Sequence, residues 1–242
     1  MLPPHELVAE EVSKNPGLLD RVRRRAHEQE WAQAYSEHPA VLSAPAGATV
    51  LPLALYVDGV PFTKKDSFIG IWVYNLLSME RKLAVVLRKS ELCSCGCRKY
   101  CSLFEVFRFL RWSFEALATG RYPEGRHDSR PWDDEDAERI GLAGKPLPRG
   151  AVVLLKGDWA EFCLTFGFST WSSAATPCLF CTATRESLYE TEGLSMLSFP
   201  HTLKGRPEYE AACDRAEKKV VLTREQHAMI LPHLSYDKRR DR

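Results

Sequence analysis

Residues 51–60 read Leu-Pro-Leu-Ala-Leu-Tyr-Val-Asp-Gly-Val, an apolar run that ends at an Asp-Gly pair. Two more runs of apolar, β-branched and aromatic residues follow at Ser67–Leu77 and Lys82–Leu87, and turn-forming residues separate all three. Such residues are enriched in β-strands, and Asp-Gly pairs are enriched in the turns between them. The sequence therefore predicts three consecutive strands in a meander.

A long helix and a fourth strand are predicted downstream. Apolar residues recur at spacings of three and four from Leu103 to Leu117, and Gly120 ends the run. Ala151–Leu155 is a short apolar run bounded by glycines, which is typical of a buried strand. Three antiparallel strands, a helix, a strand parallel to the first and a further helix are the layout of the ribonuclease H-like fold. We therefore predict an α/β protein with a ribonuclease H-like mixed sheet.

The segments on either side of this core are predicted to be helical. Residues 4–36 have the apolar spacing of two helices with a break at Asn15-Pro16-Gly17, and His38–Thr49 is predicted as a linker. Two more helices are predicted at Pro207–Lys219 and Thr223–Leu231. The predicted division is an N-terminal helical segment and linker at 1–49, the ribonuclease H-like core at 50–170, and a cysteine-pair and C-terminal helical region at 171–242.

Composition restricts the class of protein. Of the 242 residues, 45% are hydrophobic, and 33 basic residues face 32 acidic ones, which excludes disorder, collagen and coiled coil. The longest apolar runs are far shorter than the roughly 18 residues of a membrane span, and the acidic N-terminus differs from a secretory signal. An intracellular protein without membrane contact is expected. The basic runs Arg21–Arg25 and Lys238–Arg242 favour a nuclear location, although such runs are also common on ordinary surfaces.

Two aspartates follow the predicted first and fourth strands. Asp58 ends the first strand, and Asp158 follows Gly157 at the end of the fourth. If these strands are neighbours, their carboxylates converge as oxygen ligands for Mg²⁺ or Mn²⁺, the ions that assist phosphoryl transfer. The alternative is that Asp58 belongs to a turn and Asp158 caps the following helix.

These motifs together resemble the catalytic core of eukaryotic DDE/DDD transposases, with the CACTA and Plavaka groups nearest in pattern. The resemblance spans roughly residues 51–181. It rests on Tyr56–Pro61, Gly157–Phe162, Trp171 about ten residues later, and the Cys-x-x-Cys of Pro177–Cys181.

The resemblance implies a DNA-binding enzyme that cleaves and joins DNA strands with two metal ions. Asp58 matches the first acid of the family, Asp158 the second, and Cys178 with Cys181 the cysteine pair. The family has a third acid on a later helix, usually after a long insertion, and no motif here matches it. The chain is therefore interpreted as a truncated, degenerate or domesticated copy whose activity stays open. The remaining acidic candidates are Glu161, Asp214, Glu217 and Asp237.

Two other functions stay open on the residues alone. One is a non-catalytic, zinc-stabilised module that binds nucleic acid or another protein, and the other is a metal-dependent nuclease on the same fold. DNA is the predicted partner of the transposase-like enzyme. Self-association into a homo-oligomer is a further predicted interaction. The chain lacks the His-x-Glu of zinc deaminases, as well as the P-loop, dinucleotide-binding, hydrolase and zincin motifs.

Six of the eight cysteines fall in two groups with the spacing of metal ligands. In a chain of this kind, clustered cysteines indicate thiolate ligation of Zn²⁺ or closely packed free thiols. Zinc is thus the second predicted metal, beside Mg²⁺ or Mn²⁺. The candidate zinc ligands are Cys93, Cys95, Cys97, Cys101, Cys178 and Cys181.

Basic and aromatic residues complete the set of candidates. Arg81–Arg130 holds eleven Lys and Arg against five Asp and Glu, a balance that suits phosphate binding but also a solvated surface. The candidate phosphate contacts are Lys64, Lys65, Arg88, Lys89, Arg98 and Lys99. Aromatic residues such as Trp72, Tyr74 and Trp112 suggest base stacking, but their periodic placement favours core packing.

Overall fold

The computed structural model describes most of the chain up to Leu164 and short pieces beyond it. The chain divides into two compact units. One comprises Met1–Leu92 with Cys101–Glu161, and the other comprises Cys93–Tyr100 with Phe162–Arg242. The described residues are 1–25, 28–29, 32–64, 66–95, 99–164, 170, 172–173, 177–178, 181–187, 205, 207 and 211.

Short helices precede the sheet. The predicted break at Asn15–Gly17 separates the first two. The predicted linker contains a fourth helix, because Pro39 is favourable at a first helical position and the His38 Nδ1 accepts a hydrogen bond from the Ala40 N–H at 3.1 Å. The helices are α1 (Pro4–Lys14), α2 (Leu18–Arg25), α3 (Ala32–Ser36) and α4 (Pro39–Leu42).

Three strands form the predicted meander. They are β1 (Val50–Pro61), β2 (Ser67–Asn75) and β3 (Arg81–Arg88). β2 pairs antiparallel with both β1 and β3. A single 3₁₀ turn, Lys89–Glu91, follows β3.

The chain then crosses over and adds a fourth strand to the sheet. The elements are α5 (Tyr100–Thr119), α6 (Ala137–Leu142), β4 (Arg149–Gly157) and α7 (Trp159–Leu164). β4 pairs parallel with β1, and the strand order is β3-β2-β1-β4. The predicted α/β class, with three antiparallel strands and one parallel strand in a mixed sheet, is confirmed. The helices predicted at 207–219 and 223–231 lie largely outside the described residues.

The two faces of the sheet differ in burial. On β2, Ile69, Ile71 and Val73 are buried, whereas Trp72 and Tyr74, which alternate with them, are half-buried. Successive side chains of a strand point to opposite faces, so one face of this strand carries the core and the other is partly open. None of the helices in the described ranges is long and apolar enough to cross a membrane.

A buried carboxylate attaches α1 to the sheet. Glu11 Oε1 accepts hydrogen bonds from Asn75 Nδ2 at 3.0 Å and from Ser78 Oγ at 2.6 Å. Burial raises the pKa of Glu11, and the hydrogen bond from Ser78 opposes that shift. The β2–β3 turn and the first helix are thus joined by a hydrogen-bonded polar group inside the protein.

A buried histidine attaches α1 to α5. The Ser113 Oγ accepts a hydrogen bond from the His5 backbone N–H at 2.8 Å and lies 2.8 Å from His5 Nδ1. The His5 ring packs edge-on against Trp112, with ring centroids 5.0 Å apart. His5 is 2% exposed, and burial lowers its pKa from 6.5 to about 4. The folded protein therefore holds this imidazole neutral.

This histidine predicts a pH-dependent loss of stability. Between pH 6.5 and about 4, the unfolded chain protonates His5 while the folded protein does not. Protonation then favours unfolding, so the free energy of unfolding falls as the pH falls, by up to about 3 kcal/mol over this window. His5→Asn keeps an acceptor near the Nδ1 position but does not titrate. Urea unfolding at several pH values should show a shallower acid loss for His5→Asn, and identical slopes for both proteins would contradict the assignment.

Candidate functional site

Asp58 and Asp158 lie at one edge of the sheet. Val57 pairs with Gly157 in the parallel register of β1 and β4, and each aspartate is the next residue. Asp58 does not end β1 as predicted: it pairs with Gly70 inside the strand, which continues to Pro61. It follows the last residue pair of the parallel β1–β4 ladder, where Asp158 leaves β4, so the two aspartates occupy neighbouring positions. Asp58 is half-buried and Asp158 is exposed. The structure therefore brings these two predicted acids to the same place.

Each carboxylate uses one oxygen in a local hydrogen bond. Asp58 Oδ2 accepts a hydrogen bond from the Tyr56 hydroxyl at 2.8 Å. Asp158 Oδ1 accepts one from the Glu161 backbone N–H at 2.6 Å, which is the bond of a residue that caps a helix. The second oxygen of each carboxylate makes no hydrogen bond to a described residue. The capping role and a metal-binding role are compatible, because they use different atoms.

The Tyr56 hydroxyl responds to both acids. Its hydrogen bond to Asp58 raises the pKa of Tyr56, burial and the charges of Asp58 and Asp158 raise it further, and Arg81 lowers it. The charge of Asp158 is the weakest of these influences on the pKa of Tyr56. Negative charge is thus concentrated at this edge of the sheet.

An ion pair with a buried carboxylate lies on the face of β1 opposite the Asp58 side chain. Lys89 Nζ is 2.6 Å from Glu161 Oε1, and the Glu161 side chain is only 5% exposed. The Glu161 carboxylate lies against the backbone of Gly59, where any β-carbon would collide with it. A side chain at position 59 would therefore displace the ends of the Glu161 and Lys89 side chains.

A third carboxylate does not complete the pair within the described residues. The single described group that brings three metal-ligand atoms within 4.8 Å of one another consists of cysteines. Glu161 is held by Lys89, and the other acidic candidates, Asp214, Glu217 and Asp237, lie outside the described residues. The described residues thus offer two carboxylates here, and the Lys89–Glu161 ion pair lies on the opposite face of β1.

Cys93, Cys95 and Cys101 form the group that could hold a metal ion. Their sulfur atoms all lie within 4.8 Å of one another. Cys93 is half-buried, and Cys95 and Cys101 are exposed. Three thiolates at this spacing are a ligand set for a soft or borderline metal. Cys97 lies outside the described residues, while Cys178 is half-buried and Cys181 is buried.

The basic candidates have different surroundings. Arg88 forms an ion pair with Asp66 at 2.6 Å, and the hydrogen bond from Arg88 lowers the pKa of Asp66 to about 2. Lys64 is exposed, and Lys99 is half-buried. Lys89 is engaged with Glu161 as described above, and Lys65 and Arg98 lie outside the described residues. Their predicted phosphate contacts stay predictions.

The Lys89–Glu161 pair was not predicted, although part of it had a sequence pattern. Asp158-x-x-Glu161 has the spacing of a capping box, which indicates that Glu161 lies in the first turn of a helix. Lys89 lies 72 residues away in the chain, so no local pattern connects it to Glu161.

Comparison of the chain with protein-family models, with curated proteins and with solved structures finds no match. The transposase resemblance thus gains no support from known relatives, and the function has to be inferred from the chain's own geometry.

The buried ion pair predicts a stability effect at the site. Lys89→Met leaves the Glu161 carboxylate buried without its cation, and we expect the free energy of unfolding to fall by roughly 3 kcal/mol. Adding Glu161→Gln removes the buried charge and should restore most of that loss. Both variants are measured by urea unfolding at pH 7.

The matched control is Lys14→Met, which breaks an exposed pair with Glu10. Exposed pairs contribute little, so this variant should unfold like the parent protein. If Lys89→Met is as stable as Lys14→Met, or if Glu161→Gln fails to restore stability, the ion pair does not hold α7 to the sheet.

Proposed function

We propose that this chain is a transposase-derived, ribonuclease H-like core in which Asp58 and Asp158 bind Mg²⁺ or Mn²⁺ for phosphoryl transfer on DNA. The observation that carries the proposal is the position of both aspartates at one edge of the parallel β1–β4 pair. The strand order and the crossover through α5 support the ribonuclease H-like assignment, since that fold has the same order.

The donor set fits a hard divalent cation. Asp58 Oδ1 and Asp158 Oδ2 are carboxylate oxygens that no described residue occupies. Mg²⁺ is commonly bound by one or two carboxylates, with waters and substrate phosphate oxygens filling the remaining positions. Bound there, such an ion would neutralise charge that develops on a phosphodiester under attack. The Tyr56 hydroxyl holds the Asp58 carboxylate in place, and the N–H of Glu161 holds Asp158.

A non-catalytic module is the second candidate, and a specific observation favours it. Two-metal cleavage needs more carboxylates than the two placed here, and no third one joins them among the described residues. In that case, both aspartates act in folding and the chain binds nucleic acid or protein without cleaving it. A nuclease on the same fold would use the same pair of acids as the transposase.

A metal-binding experiment distinguishes the transposase and nuclease proposals from the non-catalytic binding module. Calorimetry with Mg²⁺ and Mn²⁺ should show binding to the parent protein that is lost in the Asp58→Asn, Asp158→Asn double variant. Asparagine keeps the hydrogen bond from Tyr56 and is a good helix cap, so this variant removes charge while preserving the local contacts.

The matched control is Asp20→Asn, Glu37→Gln, which removes two exposed acids elsewhere. It should bind metal like the parent protein. Absence of binding in the parent protein, or equal binding in all three, would contradict the metal site. If the parent protein binds metal, an assay of labelled DNA with Mn²⁺ then separates the two candidates: cleavage supports the enzyme, and no cleavage supports the non-catalytic module.

For the cysteine group, we propose Zn²⁺ as the metal. Cys93, Cys95 and Cys101 supply three thiolates, and the sequence offers Cys97 in the same stretch as a fourth, with Cys178 and Cys181 as further candidates. Four thiolates are the usual ligand set of a structural zinc site.

The zinc proposal predicts thiolate-to-metal absorption on titration of the reduced apoprotein with Co²⁺, with displacement by Zn²⁺. Cys95→Ser should weaken binding at least about tenfold, because it removes one ligand. Cys163→Ser, at a half-buried cysteine outside the group, should leave the affinity unchanged. An unchanged Co²⁺ spectrum in Cys95→Ser would contradict the site.

DNA remains the proposed partner of the chain. The nuclear location and the homo-oligomer stay predictions from the sequence. The second basic run behind the nuclear prediction, Lys238–Arg242, lies outside the described residues.

A further inference from the structure

One face of the sheet carries half-exposed aromatic rings, of which the proposed function uses only the Tyr56 hydroxyl. Trp72 and Tyr74 of β2 are half-buried, on the face opposite the core. Trp72 is paired in register with Tyr56 of β1, which is half-buried too. We name Tyr56, Trp72 and Tyr74 the aromatic face. The core packing favoured for Trp72 and Tyr74 is met only in part, since both side chains are half-buried.

These rings form a surface. The Tyr56 and Trp72 ring centroids are 5.3 Å apart and tilted by 44°. The Trp72 indole lies over the backbone of Gly70, where a β-carbon would collide with it. On the adjacent β3, Leu83 and Val86 are 41% and 50% exposed and pair with Trp72 and Gly70. Solvent therefore reaches the sheet beside the rings.

Two cations border the aromatic face. The Arg81 guanidinium carbon is 5.5 Å from the Tyr56 ring centroid, and Lys156 Nζ is 4.5 Å from the Tyr74 ring centroid. Both residues are exposed, and neither forms an ion pair with a described carboxylate. Long, flexible cations of this kind leave a ring readily when a stronger anionic partner is present.

Rings beside cations match the chemistry of an unpaired nucleic-acid strand. Aromatic side chains stack with exposed bases regardless of sequence, and neighbouring Lys and Arg neutralise the phosphates between those bases. A paired duplex has its bases stacked inside and offers the rings little contact.

We propose that the aromatic face binds single-stranded nucleic acid, with bases on Trp72 and the tyrosines and with phosphates on Arg81 and Lys156. A second copy of this chain is the competing occupant. An isologous interface would bring the same two cations from both copies together, and their repulsion disfavours it. A polyanion meets no such repulsion.

The test is fluorescence anisotropy of a labelled thymidine 20-mer, measured at several salt concentrations in buffer without Mg²⁺ or Mn²⁺. Leaving out these ions removes any dependence on the carboxylate metal site and spares the proposed zinc site, so this binding and the proposed metal function fail or succeed separately. The parent protein should bind the single strand more tightly than a duplex of the same length. Trp72→Leu should weaken binding roughly tenfold, and Trp72→Phe should retain most of the affinity. Arg81→Gln with Lys156→Gln should lower the salt slope by about 1.4, since two phosphate contacts are lost.

Trp132→Leu is the matched control, because Trp132 is a half-buried tryptophan outside the sheet, bonded to the Glu124 carbonyl oxygen at 2.9 Å. Its affinity should equal that of the parent protein, and circular dichroism verifies that each variant is folded. Equal affinities for Trp72→Leu and Trp132→Leu would overturn the proposal, as would the absence of single-strand binding. Self-association that is lost in Trp72→Leu, with no strand binding, would assign the face to a second copy instead.

Discussion

Strands β1 and β4 run parallel, and no short turn can join two parallel strands. The chain has to leave the sheet after β3, pass through α5 and return, and this crossover brings the end of β4 beside Val57, just before Asp58 in β1. In an antiparallel arrangement, Asp158 would lie at the opposite edge of the sheet from Asp58. The neighbouring positions of the two acids, and the start of α7 at the same edge, both follow from the direction in which β4 enters.

Buried polar contacts attach the helices to this sheet in specific positions. Glu11 is bonded to Asn75 and Ser78, His5 to Ser113, and Glu161 to Lys89. Each is costly if its partner is removed, because an unpaired buried polar group loses its contact with water. Apolar packing alone would tolerate small shifts of α1 or α7, whereas these contacts select one arrangement. The helices therefore owe their positions to a few polar groups and their stability to the apolar core.

The sequence predicted the strands and the helix that follow from the local spacing of apolar residues. It missed contacts between residues that are far apart in the chain. Strands β1 to β4 and helix α5 were predictable because apolar spacing of two or of three and four is a local property. The Asp58–Asp158 edge followed from the order of those elements. The Lys89–Glu161 pair joins positions 72 residues apart, and α4 depends on a single cap at His38, so neither had a clear local pattern. The half-burial of Trp72 and Tyr74 was not predictable, because a period of two looks the same whether both faces of a sheet are covered or only one.

Tyr56 belongs both to the aromatic face and to the surroundings of the Asp58 carboxylate. Its ring is part of the aromatic face, and its hydroxyl donates to Asp58 Oδ2 at the carboxylate edge. Because the Asp58 bond raises the pKa of Tyr56, the phenol stays protonated at neutral pH and remains a donor. Oδ2 is thereby occupied, and Oδ1 is the Asp58 oxygen that can face a cation. Tyr56 and Asp58 are two residues apart on the same face of β1, so the proposed base contact and the proposed metal ligand lie next to each other on one strand.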